Sequence, residues 1–329
     1  MPQLLSPQNN TMLTLLQPDH LRFVQEPAKT LAADVDWLRL KEEKIDRSYP
    51  VPVDFSFSPA TDGVVILYHP CGRITRHAAH AGRAKVANLR IGATYEWQVE
   101  AEDDLSPVYR FFTADQPPRM LYVDGISNVR DFGGYTTKDG KRVRQGLLYR
   151  TSEMDTHVAI TEMGKTTLYE LGIRTDLDIR GCNDEYRAPA LDETRVKWIN
   201  IPMVAYDKIF TDKAFIKAYG DGYALLADQN RYPVIVHCWG GIDRTGCFLF
   251  ILGGALGVEP EQLYLDYELS SFSRWGRRSR HSDQFRAFHE GLMAYGDTVE
   301  TACRNFMLAG GITERQIQQI KDIFLENMS

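Results

Sequence analysis

Cysteine is scarce in this 329-residue chain, which contains five cysteines and no CxxC pair. They are Cys71, Cys182, Cys238, Cys247 and Cys303. Disulfide scaffolds and zinc clusters both need several closely spaced cysteines. The spacing therefore argues against both kinds of site. Because no other cluster of metal ligands is visible in the sequence, we expect neither a metal nor another cofactor.

A positive net charge and long apolar runs are also missing. The formal net charge of −6 gives no general reason to expect nucleic acid or an anionic membrane as a partner. No run approaches the ~18 apolar residues of a membrane span. The chain begins "MPQLLSPQNN", without the basic and apolar regions of a signal peptide, so we expect a cytoplasmic protein. A secreted or periplasmic protein that had lost its leader would look the same.

The chain is long enough for two domains, and its pattern changes near residue 116. Within residues 1–116, short strand-like segments run from about Val51 to Asp115, and in "YEWQVEA" Tyr95, Trp97 and Val99 alternate with polar residues. Such alternation is typical of half-buried strands, so we predict an all-β sandwich. The stretch "LRIGATYEWQVEAEDDLSPVYRFFTAD" resembles the closing strands of a fibronectin type III domain. The earlier stretch "LAADVDWLRLKEEKI" fits either a helix or an irregular lead-in.

The second domain, residues 117–329, follows the linker-like stretch "TADQPPRM". Strand candidates "LLYR", "TDLDI", "VKWINIP" and "YPVIVHC" alternate with helix candidates such as "ITEMGKTTLYELG", "KAFIKAYGDGYALLADQ" and "TGCFLFILGGALG". Alternating strands and helices predict an α/β domain with a mainly parallel sheet flanked by helices.

The stretch "HCWGGIDRTG", from His237 to Gly246, joins the last of these strands to an apolar helix. A thiolate forms readily at a helix N-terminus beside a positive charge. Paired glycines allow a tight turn whose N–H groups bind an anion, and the fork of Arg244 matches two phosphate oxygens. The hydroxyl of Thr245 can donate a hydrogen bond to the sulfur. The alternative is that Cys238 is a small buried side chain that ends a strand.

These residues resemble the phosphate loop of the protein tyrosine phosphatase superfamily, and most closely that of a bacterial tyrosine phosphatase family with the loop HCxxGxDRTG. Further stretches resemble landmarks of that family in the expected order, namely "NVRDFGGY", "GLLYRTSEM", "LYELGIRTDLDIRGCNDE", "LYLDYELSS" and "GGITERQIQQI". The resemblance covers about residues 121–327, whereas the N-terminal sandwich lies outside it.

The resemblance implies a phosphoric monoester hydrolase that forms a phosphocysteine on Cys238 without a metal or other cofactor. Arg244 and the loop bind the transferred phosphoryl group, and inorganic phosphate is the product and an inhibitor. The implied phosphate-binding residues are Trp239, Gly240, Gly241, Ile242, Asp243, Arg244 and Thr245.

A general acid must also protonate the leaving group. In the resembled family it lies on the loop after the strand that follows the DLR-like run, here "IPMVAYDKIFTD". Asp207 is the first choice and Asp212 the second, although Asp207 lies further past Pro202 than the family pattern suggests. Asp243 and Asp178 compete with them. The alternative for Asp207 is a solvated loop carboxylate, whereas Asp243 and Asp178 also suit a role in holding the loop.

Supporting roles are predicted for five residues, each with a plainer alternative. His237 orients the loop through backbone hydrogen bonds or merely ends a strand, and Asp178 holds the loop by hydrogen bonds. Arg180 supports the loop or is a surface cation. Arg130 and Asp131 buttress the site or form a surface ion pair in a turn.

Two cysteines are candidates for trapping an oxidised Cys238 as a disulfide. They are Cys182 and Cys247. Because Cys247 lies on the apolar helix, simple burial is the favoured interpretation there.

The substrate prediction depends on two residues of the loop. Position 242 is isoleucine, where relatives that act on phosphoinositides commonly carry lysine, and Trp239 could pack on an aromatic group. We therefore favour phosphotyrosine proteins or small aryl phosphates over phosphoinositides and inositol phosphates. A rival hypothesis is a phosphate-binding module without turnover. Another places the biological role in the sandwich, as an adhesion or scaffolding element whose partner the sequence does not identify.

Overall fold

A computed structural model of the chain describes residues 1–26, 37–181 and 188–328. The chain forms two compact units: Met1–Asp19 with Pro50–Tyr122, and His20–Tyr49 with Val123–Ser329. This division differs from the predicted border at 116/117 in two ways. The border lies after Tyr122, and residues 20–49 belong to the second unit. The assignment of residues 20–49 to the second unit depends on contacts between distant parts of the chain, so the composition of the sequence does not indicate it.

The first unit contains ten strands. In chain order they are β1 (Gln3–Ser6), β2 (Thr11–Leu13), β3 (Val53–Ser58), β4 (Gly63–Tyr68), β5 (Ile74–Ala79), β6 (Arg83–Val86), β7 (Thr94–Ala101), β8 (Asp104–Leu105), β9 (Tyr109–Thr113) and β10 (Arg119–Met120). One sheet has the order β1-β3-β6, and another has β2-β9-β7-β4-β5 with β8 beside β7. All the pairs in these two sheets are antiparallel except β2–β9.

The core of the first unit lies between these two sheets. The predicted alternation is observed in β7, where Tyr95, Trp97 and Val99 are buried. Phe55 of the opposite sheet meets Trp97 edge-to-face at 4.9 Å between ring centroids. The side chains of both sheets thus share one apolar layer.

The described part of the second unit contains seven strands. They are β11 (Arg130–Asp131), β12 (Lys141–Val143), β13 (Leu148–Thr151), β14 (Thr175–Asp178), β15 (Lys197–Asn200), β16 (Val234–His237) and β17 (Leu325–Asn327). Its mixed sheet has the order β11-β13-β16-β14-β15, with β11 antiparallel and the other four strands parallel. Strands β12 and β17 form a separate antiparallel pair. The four predicted strands correspond to β13, β14, β15 and β16.

Nine α-helices lie in the described ranges. They are α1 (Pro18–Gln25), α2 (Trp37–Glu42), α3 (Glu162–Glu170), α4 (Lys213–Leu226), α5 (Asp243–Leu256), α6 (Pro260–Leu269), α7 (Asp283–Met293), α8 (Val299–Ala309) and α9 (Glu314–Phe324). The three named helix candidates correspond to α3, α4 and α5. Part of "LAADVDWLRLKEEKI" forms α2, and its residues 31–36 lie outside the described residues. Within the described ranges, no helix has both the length and the apolarity to cross a membrane.

Helix α5 explains why the site lies where it does. Every residue from Thr245 to Leu256 is buried, because the helix runs through the core of the second unit. Strand β16, which precedes it, lies between β13 and β14. The connection from β16 to α5 therefore emerges at the carboxyl edge of a parallel sheet, where ligand sites of α/β folds are commonly found.

Candidate active site

The loop that joins β16 to α5, here called the Cys238 loop, comprises residues 238–242. In the sheet, His237 is in register with Thr151 of β13 and with Asp178 of β14. Three strand ends therefore surround the start of the loop. Cys238 follows directly and is only 3% exposed. The predicted order of strand, turn and helix is observed around it.

The carbonyl groups of the Cys238 loop are held from outside the loop. Trp239 O accepts a hydrogen bond from the backbone N–H of Glu153 at 2.7 Å. The side-chain amide of Asn128 donates to Gly240 O and to Gly241 O, each at 3.0 Å. Asn128 itself has a φ of 60°, a conformation that asparagine tolerates better than most residues.

The orientation of the loop carbonyl groups also determines the direction in which the loop N–H groups point. In a trans peptide group the C=O and the following N–H point in opposite directions. The N–H groups of Gly240, Gly241 and Ile242 therefore point away from Glu153 and Asn128, and no described residue accepts a hydrogen bond from them. Together with the N-terminus of α5 they form a concave set of donors suited to an oxyanion such as phosphate.

Gly241 is required by this geometry. Its φ is +62°, and a Cβ atom at this position would lie 2.0 Å from the backbone oxygen of Thr151. Because that obstacle is backbone at the end of β13, it cannot move aside like the end of a flexible side chain. Any larger residue would force the Cys238 loop away from the sheet.

A buried charge cluster lies beneath the loop. Asp266 of α6 accepts from Arg130 Nε at 2.7 Å and is also paired with Arg150. Arg150 donates to Gly241 O at 2.5 Å, and Arg130 donates to Asn128 Oδ1. Burial opposes ionisation of Asp266, but the two guanidinium groups hold its pKa at about 2.

Asp131, predicted to buttress the site or to form a surface ion pair in a turn, is held by backbone groups. It is buried and accepts hydrogen bonds from the N–H groups of Gly133 at 2.8 Å and Gly146 at 2.7 Å. It therefore shapes the turn after β11. The alternative of a surface ion pair with Arg130 is wrong, because both residues are buried and Arg130 is paired with Asp266.

Arg180 is buried among carboxylates, so its interpretation as a surface cation is wrong. It pairs with Asp178 at 2.9 Å, Asp155 at 2.6 Å and Glu153 at 3.3 Å. Burial opposes ionisation of Asp178, but His237 and Arg180 lower its pKa. Arg180 thus helps to position Glu153, whose N–H holds the loop.

Asp243, the first residue of α5, is also engaged. Arg278 donates to it at 2.8 and 3.2 Å, and the hydroxyl of Tyr206 donates to the same carboxylate. Burial opposes ionisation of Asp243, but Arg278, Tyr206 and the charge of Arg244 lower its pKa. A carboxyl group with a lowered pKa is a poor proton donor near neutral pH.

The other two acid candidates lie on the segment after β15. Asp207 is exposed on a short 3₁₀ helix, Tyr206–Phe210, and no described residue bonds to its carboxylate. Asp212 caps α4, where its side chain accepts from the N–H of Ala214 at 2.8 Å. The contact between Tyr206 and Asp243 places the start of this segment next to the Cys238 loop.

The remaining predicted loop residues differ in exposure. Trp239 is 40% exposed and lies 4.7 Å from the ring of His157, whereas Ile242 is buried. Arg244 is half-buried in the first turn of α5. Thr245 is fully buried, and its hydroxyl has no partner among the described residues. The predicted hydrogen bond from Thr245 to the Cys238 sulfur is therefore not formed.

Of the two cysteines predicted to trap an oxidised Cys238, Cys247 lies within the described residues and Cys182 does not. Cys247 is buried in α5, where burial raises the pKa of its thiol. A thiol with a raised pKa reacts slowly, which agrees with the interpretation of simple burial. Cys182 lies outside the described residues.

Several residues that hold the loop received no role from the sequence. Asn128, Arg150 and Asp266 lie within the quoted stretches "NVRDFGGY", "GLLYRTSEM" and "LYLDYELSS". The arginine within the strand candidate "LLYR" would have been a usable signal for Arg150, whereas Asp266 is one of several acidic residues in α6. Arg278 had no such signal, because its carboxylate partner is remote in the chain.

Ser48 links residues 20–49 to the loop. Its hydroxyl accepts from the backbone N–H of Asn128 at 2.7 Å and donates to Asp46 at 2.6 Å. Both Ser48 and Asn128 are buried. A chain truncated to begin at Pro117 would therefore lack Ser48, whose hydroxyl holds Asn128 and, through it, the carbonyl groups of the Cys238 loop.

We expect Ser48→Ala to destabilise the protein, because the buried N–H of Asn128 loses its acceptor. The expected cost is about 1–3 kcal/mol. Urea unfolding of the wild type and the variant measures it, with Ser48→Thr, which keeps the hydroxyl, as the control. An unchanged free energy of unfolding in Ser48→Ala would show that this contact does not hold Asn128.

His237 is the second residue for which we make a prediction. Its Nε2 lies 3.1 Å from Asp176, and its Nδ1 lies 3.2 Å from the carbonyl oxygen of Cys238. Burial favours the neutral ring, but the charge of Asp176 outweighs it and raises the pKa of His237 to about 9. The imidazolium form is therefore the one that holds the start of the loop.

A group whose pKa is raised in the folded state contributes stability below its unfolded pKa of about 6.5. That contribution is lost as the pH rises through about 9. The unfolding free energy of the wild type should thus exceed that of Asp176→Asn most at pH 6, and the difference should shrink by pH 9.5. A difference independent of pH would contradict the ion pair.

Comparison with known proteins identifies the second unit. The model of a tyrosine phosphatase family matches residues 121–326. A candidate tyrosine-protein phosphatase of Cupriavidus necator is 29% identical over an alignment of 171 residues, and the match covers 45% of this chain and 61% of the relative. A tyrosine-protein phosphatase of Nostoc commune is 22% identical over an alignment of 204 residues, and that match covers 49% of this chain and 69% of the relative. The chain thus spans less than two thirds of the Cupriavidus protein.

Among solved structures, the core catalytic domain of the PP-IP phosphatase SIW14 from S. cerevisiae is 16% identical, with a TM-score of 0.33. The match covers 44% of this chain and 78% of that domain. The resemblance inferred from the motifs is confirmed at the level of the family. Because the family model matches well over half of its residues, the chain belongs to the tyrosine phosphatase family.

Proposed function

We propose that the chain is a cysteine-dependent protein-tyrosine phosphatase, which hydrolyses phosphoric monoesters without a metal. The observation that carries this proposal is the geometry of the Cys238 loop. Its carbonyls are held outward by Asn128 and Glu153, so its N–H groups converge beside a buried cysteine at the N-terminus of α5. Such a set of donors suits the oxygens of a phosphoryl group.

In the first step the sulfur of Cys238 attacks phosphorus in line with the ester oxygen. The S–P bond forms as the P–O bond breaks, giving a phosphocysteine. The loop N–H groups and the guanidinium of Arg244 stabilise the charge on the three equatorial oxygens. Asp207 gives its proton to the departing phenoxide.

In the second step the carboxylate of Asp207 takes a proton from water, which attacks the phosphorus. The S–P bond breaks, the thiolate of Cys238 is regenerated, and inorganic phosphate leaves. Asp207 is favoured as the acid because its competitors are engaged. Asp178 is held by Arg180, Asp243 by Arg278, and Asp212 by the cap of α4.

Phosphotyrosine and small aryl phosphates are the favoured substrates. The partly exposed ring of Trp239 lies beside the nucleophile and offers a surface for an aromatic leaving group. Ile242 adds no positive charge to the loop, which argues against inositol phosphates. The first unit, a fibronectin type III-like sandwich in this proposal, positions the catalytic unit or binds a partner.

The direct test is hydrolysis of p-nitrophenyl phosphate in the presence of EDTA. Cys238→Ser should lower kcat by about 10³-fold or more, because it removes the nucleophile. Arg244→Lys should lower it by about 10²–10³-fold, because lysine cannot bind two oxygens side by side. Cys71→Ser, an exposed cysteine of the first unit, is the control and should keep full activity. No wild-type turnover despite vanadate binding would favour the phosphate-binding module.

The second test identifies the acid. Because a general acid works only when protonated, kcat for phenyl phosphate should fall as the pH rises from 5 to 8. Asp207→Asn should lower kcat by about 10²–10⁴-fold and flatten this dependence. Asp212→Asn should behave like the wild type, because asparagine caps a helix as well as aspartate. An unchanged pH profile in Asp207→Asn would exclude it as the acid.

A further inference from the structure

The second unit contains an arginine-rich segment beside the Cys238 loop. Residues 274–286 read "RWGRRSRHSDQFR", with five arginines and one aspartate, in a chain whose net charge is −6. Trp275 of this segment lies next to Gly240, since a Cβ atom on Gly240 would lie 3.3 Å from its ring. Arg278 reaches Asp243 at the start of α5. The segment therefore forms one border of the site.

Most of the charge in this segment is already compensated. Three of its arginines form ion pairs, namely Arg278–Asp243, Arg280–Glu268 and Arg286–Asp283. Arg277 differs from them, because it is exposed and no carboxylate in the described ranges pairs with it. Its positive charge is therefore not compensated by a carboxylate in the described part of the second unit.

Arg277 lines a cavity of about 400 Å³ that also borders Asp243, the first residue of α5 after the Cys238 loop. Its lining includes Tyr206, Asp243, Arg277, Arg278, Ser279 and Ser282. Most of these side chains carry hydrogen-bond donors. The carboxylate of Asp243 is already paired with Arg278 and Tyr206, so the walls present donors and a net positive charge. Such a lining suits an anionic group rich in oxygen.

We propose that this cavity binds an acidic side chain next to the phosphotyrosine of a peptide substrate. The inference rests on the proposed function and narrows its substrate class. Because Asp243 directly follows the Cys238 loop, the cavity lies beside the phosphoryl position. An extended peptide advances about 3.5 Å per residue, so a glutamate one or two residues from the phosphotyrosine reaches it. Arg277 provides the attraction, and the lining hydroxyls provide hydrogen bonds.

A peptide is favoured over a small polyanion by the position of Trp239. Its partly exposed ring can cover an aromatic leaving group, whereas Arg277 attracts a charge on the neighbouring residue. A soluble polyphosphate would use the arginine but would leave the exposed part of the Trp239 ring uncovered.

The test measures peptide binding to the Cys238→Ser protein, which keeps the full chain but lacks the nucleophile. Two phosphotyrosine peptides are compared by calorimetry, one with glutamate on both sides of the phosphotyrosine and one with glutamine. The glutamate peptide should bind about three- to fivefold more tightly at low salt, the range of an exposed ion pair. Added salt should reduce this ratio.

Arg277→Ala should bring the ratio of the two Kd values to about one, and Arg277→Glu should invert it. Arg277→Lys should keep most of the preference. Arg286→Ala, which removes an arginine of the same segment that does not line the cavity, is the matched control and should leave the ratio unchanged.

Equal binding of the two peptides, or a preference that survives Arg277→Ala, would overturn the proposal. So would inositol hexakisphosphate binding more tightly than either peptide with the same dependence on Arg277, because the cavity would then serve small polyanions. Hydrolysis of p-nitrophenyl phosphate by the wild type separates the two failures. If turnover is seen without the glutamate preference, only the subsite is overturned. If both turnover and peptide binding are absent, the proposed phosphatase activity is overturned as well.

Discussion

The carboxylate of Asp266 is the group on which the Cys238 loop depends. It pairs with the buried guanidinium groups of both Arg130 and Arg150, which in turn reach Asn128 and the carbonyl of Gly241. A buried ion pair that loses one partner costs about 3–5 kcal/mol, because the remaining charge is left uncompensated. The shape of the loop is thus maintained by charges in the core of the second unit.

The aspartates around the loop differ in role because they differ in surroundings. Asp178 and Asp243 each face a guanidinium group, which lowers their pKa values and keeps them ionised. Asp178 is bonded to Arg180, and Asp243 to Arg278 and Tyr206. Asp207 lies exposed on a 3₁₀ helix beside Tyr206, and no described residue bonds to its carboxylate. Aspartate therefore supplies both the ion-paired carboxylates around the site and its proposed acid.

Arginine is used in three environments within the same unit. Arg150 is fully buried, and its planar fork donates to a carboxylate and a carbonyl at once. Arg244 lies in the first turn of α5, where its charge adds to the positive end of the helix. Arg277 is exposed at the rim of the adjoining cavity. Arginine thus serves one site from the core, from a helix terminus and from the surface.

By itself the sequence determined the strand, the paired glycines and the apolar helix around Cys238, because those signals lie within about twenty consecutive residues. It also determined the alternation in β7, which depends only on neighbouring positions. Only the tertiary structure decided which partners hold the loop. Asn128 and Gly240 are 112 residues apart, and Asp243 and Arg278 are 35 apart. Pairings over such distances depend on how the strands and helices pack, and no local pattern specifies them.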